Sequence, residues 1–222
     1  MTLRTLSWAA LWCAAALPAR AADPYSIKPV TEAAPKELAE PVRKLMGDHA
    51  VQLLDAKGEV LAQVWFCKEV PAKAPAGAEL TYQQLQESTV VGALKVAKQM
   101  RDYRKQKVKP GVYTLRYGNQ PMDGDHMGTA PYAEFVLACP AAEDKSAAPM
   151  ETKALHELSA KSTNSHVAIF LLFPGTGAAA EPKLVNKGEG HWVLFQQLDA
   201  KAGDKKAKLP VGLVLIGASS AV

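Results

Sequence analysis

Cysteine is scarce and long apolar runs are missing: 222 residues hold three cysteines. No segment reaches the ~20 consecutive apolar residues that a bilayer-spanning helix needs. No Cys-x-x-Cys pair occurs, which argues against a thiol–disulfide exchanger. Gly-x-Ser-x-Gly is absent, so no nucleophile elbow is signalled. Gly175-Thr176-Gly177 lacks the Gly-Lys-Ser end of a phosphate loop. His156-Glu157 opens like a zinc-protease helix, but Ala160 stands where the second histidine is required. Charge is not extreme either. Lys and Arg number 26 against 22 acids, a formal +4, too small a bias for obligate nucleic-acid binding.

What is present begins with an export leader. Met1 to Arg4 carries a positive charge, Leu6 to Leu17 is apolar, and Ala19-Arg20-Ala21 follows Pro18. That three-part layout is a secretory signal peptide over residues 1–21, cleaved after Ala21. A lipoprotein site needs a small residue before its cysteine, and Trp12 precedes Cys13. Loss of Arg4 and Arg20 leaves 24 basic residues against 22 acids, a mature charge of +2. The mature protein is expected to be soluble, periplasmic or secreted, with no transmembrane segment. Cys67 and Cys139 remain, and export permits a disulfide between them; two separate buried thiols are the alternative.

Residues 22–222 read as one β-sandwich domain, with residues 22–34 a flexible, Pro-bearing lead. Pro35 to Met46 suits a short helix, weakened by Pro41. Val51–Leu54 and Glu59–Cys67 flank Asp55-Ala56-Lys57-Gly58 as a hairpin. Residues 68–78 read as a loop. Thr89–Val96 fits either period and is assigned as a strand. Val112–Tyr117 alternates and is β-rich, the plainest strand in the chain. Further strands are expected at Glu134–Cys139, His166–Phe173 and Leu209–Ile216, with a hairpin over Lys183–Val185 and His191–Phe195. Thr152–Lys161 suits a helix, residues 141–150 a linker-like loop, and Lys201–Lys208 a polar loop. Short strands between turns, with one or two short helices, point to a mainly β antiparallel sandwich.

The run Pro110-Gly-Val-Tyr-Thr-Leu-Arg-Tyr117, the loop Asp123-Gly-Asp-His-Met-Gly128 and Tyr132-Ala-Glu-Phe135 resemble segments of uncharacterised exported bacterial β-sandwich proteins. Asp102-Tyr103-Arg104 and the closing Leu209-Pro-Val-Gly-Leu-Val-Leu-Ile-Gly217 are similar to theirs as well. The resemblance covers about two thirds of the mature chain. It implies the fold and export and brings no activity.

Candidate chemistry concentrates in three places. Asp123, Asp125 and His126 form the densest cluster, in a loop with Met122 and Met127. The two carboxylates could face one hard cation, and Gly128 and Glu134 fall at calcium-loop positions six and twelve, although Met127 and Pro131 offer no side-chain oxygen. Met122, His126 and Met127 suit copper(I) instead. The plain alternative is a turn whose aspartates cap backbone donors. His166 and His191 begin strands and could join His126 at zinc, or each could sit at a strand end with its own hydrogen bond.

The third place is basic. Lys95, Lys98, Arg101, Arg104, Lys105, Lys107 and Lys109 form a run offset only by Asp102. It suits anionic glycans, lipid head groups or, least naturally for an exported chain, nucleic acid. A strand through residues 96–103 would divide the cations between two faces and leave them guarding a sheet edge. A helix, or a loop curling back, would gather them. Together these readings favour a non-catalytic binding or structural module of the envelope or extracellular space. No cofactor or ligand is assigned and no nucleic acid is expected. The alternative is a metal-dependent hydrolase using Asp123, Asp125 and His126.

Overall fold

The computed structural model describes residues 23–73, 80–120 and 130–220. The expected leader at 1–21 and the Asp123/Asp125/His126 loop lie outside the described residues. Among the described residues there are thirteen strands and two α-helices, with one 3-10 turn at Tyr82–Gln84: β1 (Tyr25–Thr31), α1 (Glu40–Arg43), β2 (Met46–Asp55), β3 (Val60–Cys67), β4 (Val70–Ala72), β5 (Val90–Val96), β6 (Met100–Arg101), β7 (Lys107–Val108), β8 (Gly111–Asn119), β9 (Glu134–Pro140), α2 (Thr152–Ala160), β10 (Ala168–Pro174), β11 (Lys183–Asn186), β12 (Trp192–Ala202) and β13 (Lys205–Ile216).

The mainly β character agrees with the sequence. The expected pair of facing sheets does not appear as two bodies. Ten strands form one hydrogen-bonded path, β1-β2-β3-β5-β8-β9-β10-β13-β12-β11, curled into a half-barrel, with β4 added to β12. The reason lies in β10, which changes partner along its length. Ala168–Leu171 pair with β9, whereas Leu172–Pro174 pair with β13. One strand therefore carries the ladder round a corner that would otherwise separate two sheets.

Period-two alternation fills the concave side. Phe66, Leu115, Val136, Leu172, Leu198, Val211 and Leu213 converge there from six strands. Tyr82 closes one place on the wall. Its hydroxyl donates to the Phe173 carbonyl (2.7 Å) and accepts from the Gly212 amide (2.8 Å), so a phenol stands in for a ladder bond between β10 and β13. Gly212 is required at that point, because a Cβ would meet a Phe195 ring carbon at 2.7 Å. The convex side is covered too. Trp65 faces it, with its indole N–H on the Glu32 carbonyl (2.9 Å). Leu155 of α2 is buried among Phe135, Leu137 and Cys139 of β9. Ser159 fixes the helix by donating to the Ala138 carbonyl and accepting from the Ala168 amide.

Several local expectations are corrected. Residues 25–31 are not a loose lead but strand β1, paired with His49–Asp55; Pro29 is tolerated because β1 is an edge strand. The helix expected over 35–46 shrinks to α1, with Pro41 in its first turn, where a missing N–H costs nothing. The 68–78 loop contains β4, parallel to β12. The polar stretch 201–208 is mostly strand, because β12 and β13 continue to the pair Ala202–Lys205 around Gly203-Asp204.

Cys67 and Cys139 are both buried and free. Cys139 lies level with Trp65 of β3 through Thr114 and Ala93, three strand spacings away. At 4.8 Å per spacing this is about 14 Å, far beyond the 4.4–6.8 Å Cα reach of a disulfide.

Candidate functional site

The basic run neither continues β5 as a strand nor forms a helix. β5 stops at Val96, and the chain folds back as a separate two-stranded hairpin, Met100 opposite Val108 and Arg101 opposite Lys107. β5 itself lies inside the sheet, between β3 and β8, so Lys95 guards no sheet edge. Alternation sorts the hairpin's residues: Met100 and Val108 are buried, while Arg101, Lys107 and Lys109 are exposed. The turn adds Arg104 and Lys105, both exposed, with Lys105 in the left-handed region (φ 65°).

Asp102 holds this turn. Its Oδ1 accepts from the amides of Arg104 (3.0 Å) and Gln106 (2.7 Å). Its Oδ2 accepts from Gln106 Nε2 (2.8 Å) and from the Ile169 amide of β10 (3.1 Å). Burial pushes its carboxyl above the usual carboxylate range, and these donors pull part of the way back. The same segment is clamped to the body. Tyr103 N–H donates to the Ile169 carbonyl (2.8 Å), and the Tyr103 carbonyl accepts from the Ser219 amide (2.8 Å). Gln106 spans to the Val167 carbonyl (2.9 Å) and accepts from the His166 amide (3.1 Å). Asp102-Tyr103 thus occupies the edge of β10 that β13 leaves vacant over residues 168–171.

None of Arg101, Arg104, Lys105, Lys107 and Lys109 forms an ion pair among the described residues; Arg101 Nη1 donates to the Lys105 carbonyl (2.6 Å). Lys98 is different. It is spent on Glu59 and Asp55, and its bond to Glu59 holds its ammonium above the usual lysine range.

The other sequence candidates do not converge. Asp123, Asp125 and His126, with Met122 and Met127, lie outside the described residues. His191 is buried, stacked on Tyr103 with ring centres 5.7 Å apart, and its Nε2 is engaged with the Ala218 carbonyl (3.2 Å). His166 is exposed beside the hairpin's turn. Among the described residues no group of three His, Cys, Asp or Glu is placed to hold a metal.

Sequence reasoning missed the one ion pair with both side chains fully buried among the described residues. Arg116 and Asp144 have fully buried side chains, with Nε on Oδ2 and Nη2 on Oδ1, both at 2.7 Å. The remaining guanidinium protons reach the carbonyls of Ser88 (2.7 Å), Ala148 (3.1 Å) and Ser146 (2.5 Å). Thr114 donates to Asp144 as well. Ser88, itself in the left-handed region (φ 69°) and buried, accepts the Met150 amide (3.1 Å). Every donor of this arginine is used, so the pair ties the 141–150 loop to the sheet and offers nothing to a ligand. The signal was present: an arginine inside the strongest strand needs an acid, and Asp144 was in the loop read as a linker.

The concave cavity holds ≈ 10 Å³ and is lined only by side chains such as Phe66, Leu115, Val136 and Leu213. That is the lower limit for a single water, so this cavity is closely packed by its apolar lining. Neither family models nor curated proteins nor solved structures give a match to this chain.

Proposed function

We propose that this is a non-catalytic binding module of the cell envelope or extracellular space that recognises an anionic partner by charge. The observation that carries the reading is the clamped hairpin: five cations without an ion pair among the described residues, on a hairpin fixed to β10 by the Asp102 side chain and the Tyr103 backbone. The packed concave cavity and the fully used Arg116–Asp144 pair support it, since neither offers a place for recognition. Export through the leader expected at residues 1–21 belongs to the same reading, and N-terminal sequencing of the mature protein beginning at Ala22 is its check.

Retention on a heparin-type resin tests the proposal. Wild-type protein is expected to stay bound at physiological salt and Arg101→Glu/Arg104→Glu/Lys107→Glu to flow through. Equal elution of the two proteins ends the reading. The hydrolase alternative has its own test in metal analysis of the purified protein: stoichiometric metal lost in Asp125→Ala would replace binding by charge with metal chemistry.

A further inference from the structure

We propose that the outward face of the β6–β7 hairpin, Arg101 with Lys107 and Lys109, binds a linear acidic polysaccharide and seats one of its charged groups between Arg101 and Lys107. This rests on the reading above that the hairpin recognises charge, and it assigns the face and the partner.

Arg101 and Lys107 stand directly opposite each other. Opposed strand residues bring their Cβ atoms to about 4.5–5.5 Å, where like charges destabilise the pairing. The hairpin contains no acid on this face to relieve them, because Asp102 is turned inward and committed to N–H donors. Lys109 follows one alternation beyond Lys107, about 7 Å along the strand. An oxyanion between Arg101 and Lys107 removes the repulsion, and the planar guanidinium, with Nη1 engaged on the Lys105 carbonyl, keeps Nε and Nη2 as paired donors for it. Met100 and Val108, on the opposite side of the two-residue strands, are buried in the main core, so the like-charged pair is maintained by burial on the other side.

The same face narrows the partner. Tyr103, Met100 and Val108 are buried, so the hairpin presents no aromatic for stacking a base and no apolar side chain for entering a bilayer. Three cations about 5–7 Å apart suit acid groups carried on successive sugar rings better than the denser charges of polyphosphate. The partner is a charged polymer lying along the hairpin, not a membrane and not a single-stranded nucleic acid.

The test uses the full mature chain and calorimetric titration at 0.1 M salt with three probes: a heparin hexasaccharide, linear polyphosphate of equal charge, and phosphatidylglycerol–phosphatidylcholine vesicles. The hexasaccharide is expected to bind tightest and to weaken with salt. Arg101→Gln/Lys107→Gln/Lys109→Gln should cost it about tenfold or more, as three exposed pairs would. Arg104→Gln/Lys105→Gln at the turn should cost about threefold or less. Lys107→Gln alone, without probe, should raise the melting temperature by about 1–2 °C through loss of like-charge repulsion. An equal loss in the face and turn variants overturns the face while leaving charge recognition standing. Tighter binding to polyphosphate or vesicles overturns the polysaccharide. Failure of wild-type protein to bind any probe sinks this inference together with the function proposed above. A melting temperature lowered by Lys107→Gln contradicts the strained pair.

Discussion

Asp102 and Asp144 are both buried carboxylates that fasten a connecting segment to the half-barrel, and they are satisfied in opposite ways. Asp144 takes a cation out of circulation: Arg116 meets it through two nitrogens and spends its other donors on three carbonyls. Asp102 sits in the middle of the most basic stretch of the chain and uses none of its neighbours' charges. It is held by the amides of Arg104, Gln106 and Ile169 and by the Gln106 side chain. The difference separates structure from recognition. Where an arginine neutralises the acid, both are lost to the surface; where amides satisfy it, the surrounding cations stay free for a partner.

The largest effect is expected at the ion pair. Asp144→Ala leaves a guanidinium buried without its counter-charge, which costs about 3–5 kcal/mol and on the order of 10 °C in melting temperature. Arg116→Met/Asp144→Leu removes both charges and should recover about half of that loss, since the carbonyls of Ser88, Ser146 and Ala148 still lose their donors. A double variant as unstable as Asp144→Ala would show that packing, not charge, holds this loop.

Asp102→Asn should be milder. The amide turns an N–H toward Gln106 Nε2 and the Ile169 amide, both donors, at a cost of about 1–3 kcal/mol. The damage should be local, seen as faster hydrogen exchange at Arg104, Gln106 and Ile169 with global unfolding little changed; uniform acceleration across the sheet would contradict a locally acting clamp. Its pH dependence has a definite sign. Because burial raises the Asp102 pKa above 3.8, the fold favours the protonated form. The stability this group contributes is present below pH 3.8 and is lost as pH rises through the folded-state value. The urea-derived stability of wild type relative to Asp102→Asn should therefore fall as pH is raised from below 3.8, and a difference that is flat or rises denies the shift. Smallest of all is the response to reductant. Cys67 and Cys139 are unbridged, and burial pushes both thiols up to about 12. Reduction should not move the unfolding curve, and both thiols should alkylate only after denaturation.

What could be read in advance followed the range of the interactions involved. The strand at Val112–Tyr117 and the hairpin around Asp55-Gly58 were legible because their signals are local. Asp55 Oδ1 accepts the amides of Lys57 and Glu59 (2.9 Å each), and Gly58 takes the positive φ. The helix at 152–161 was legible for the same reason. The strand character of 201–208 was hidden because its buried face is made only of small alanines: Ala200 and Ala202 alternate with exposed Asp199 and Lys201, so polarity masked the period. Strand β4 adds in parallel to a partner 130 residues away in sequence, Val70 to Ala200, which no local pattern reports. The half-barrel escaped because it depends on β10 changing partners midway. At the site, the run of cations was visible but its shape was not. Asp102 was noticed only as an offset to positive charge, and its role depends on Ile169, 67 residues on. The Asp123/Asp125/His126 loop lies outside the described residues.

The separation between a structural acid and a clamp that frees its cations is tested most directly by the heparin-hexasaccharide affinity of Asp102→Asn. This change removes an acid beside five free cations, so recognition by net charge alone would make binding tighter. The account predicts binding several-fold weaker, about the effect of losing one to two exposed ion pairs, because the turn is no longer held to β10 and the Arg101–Lys107–Lys109 face loses its fixed geometry. Affinity that is unchanged or increased in Asp102→Asn would contradict it.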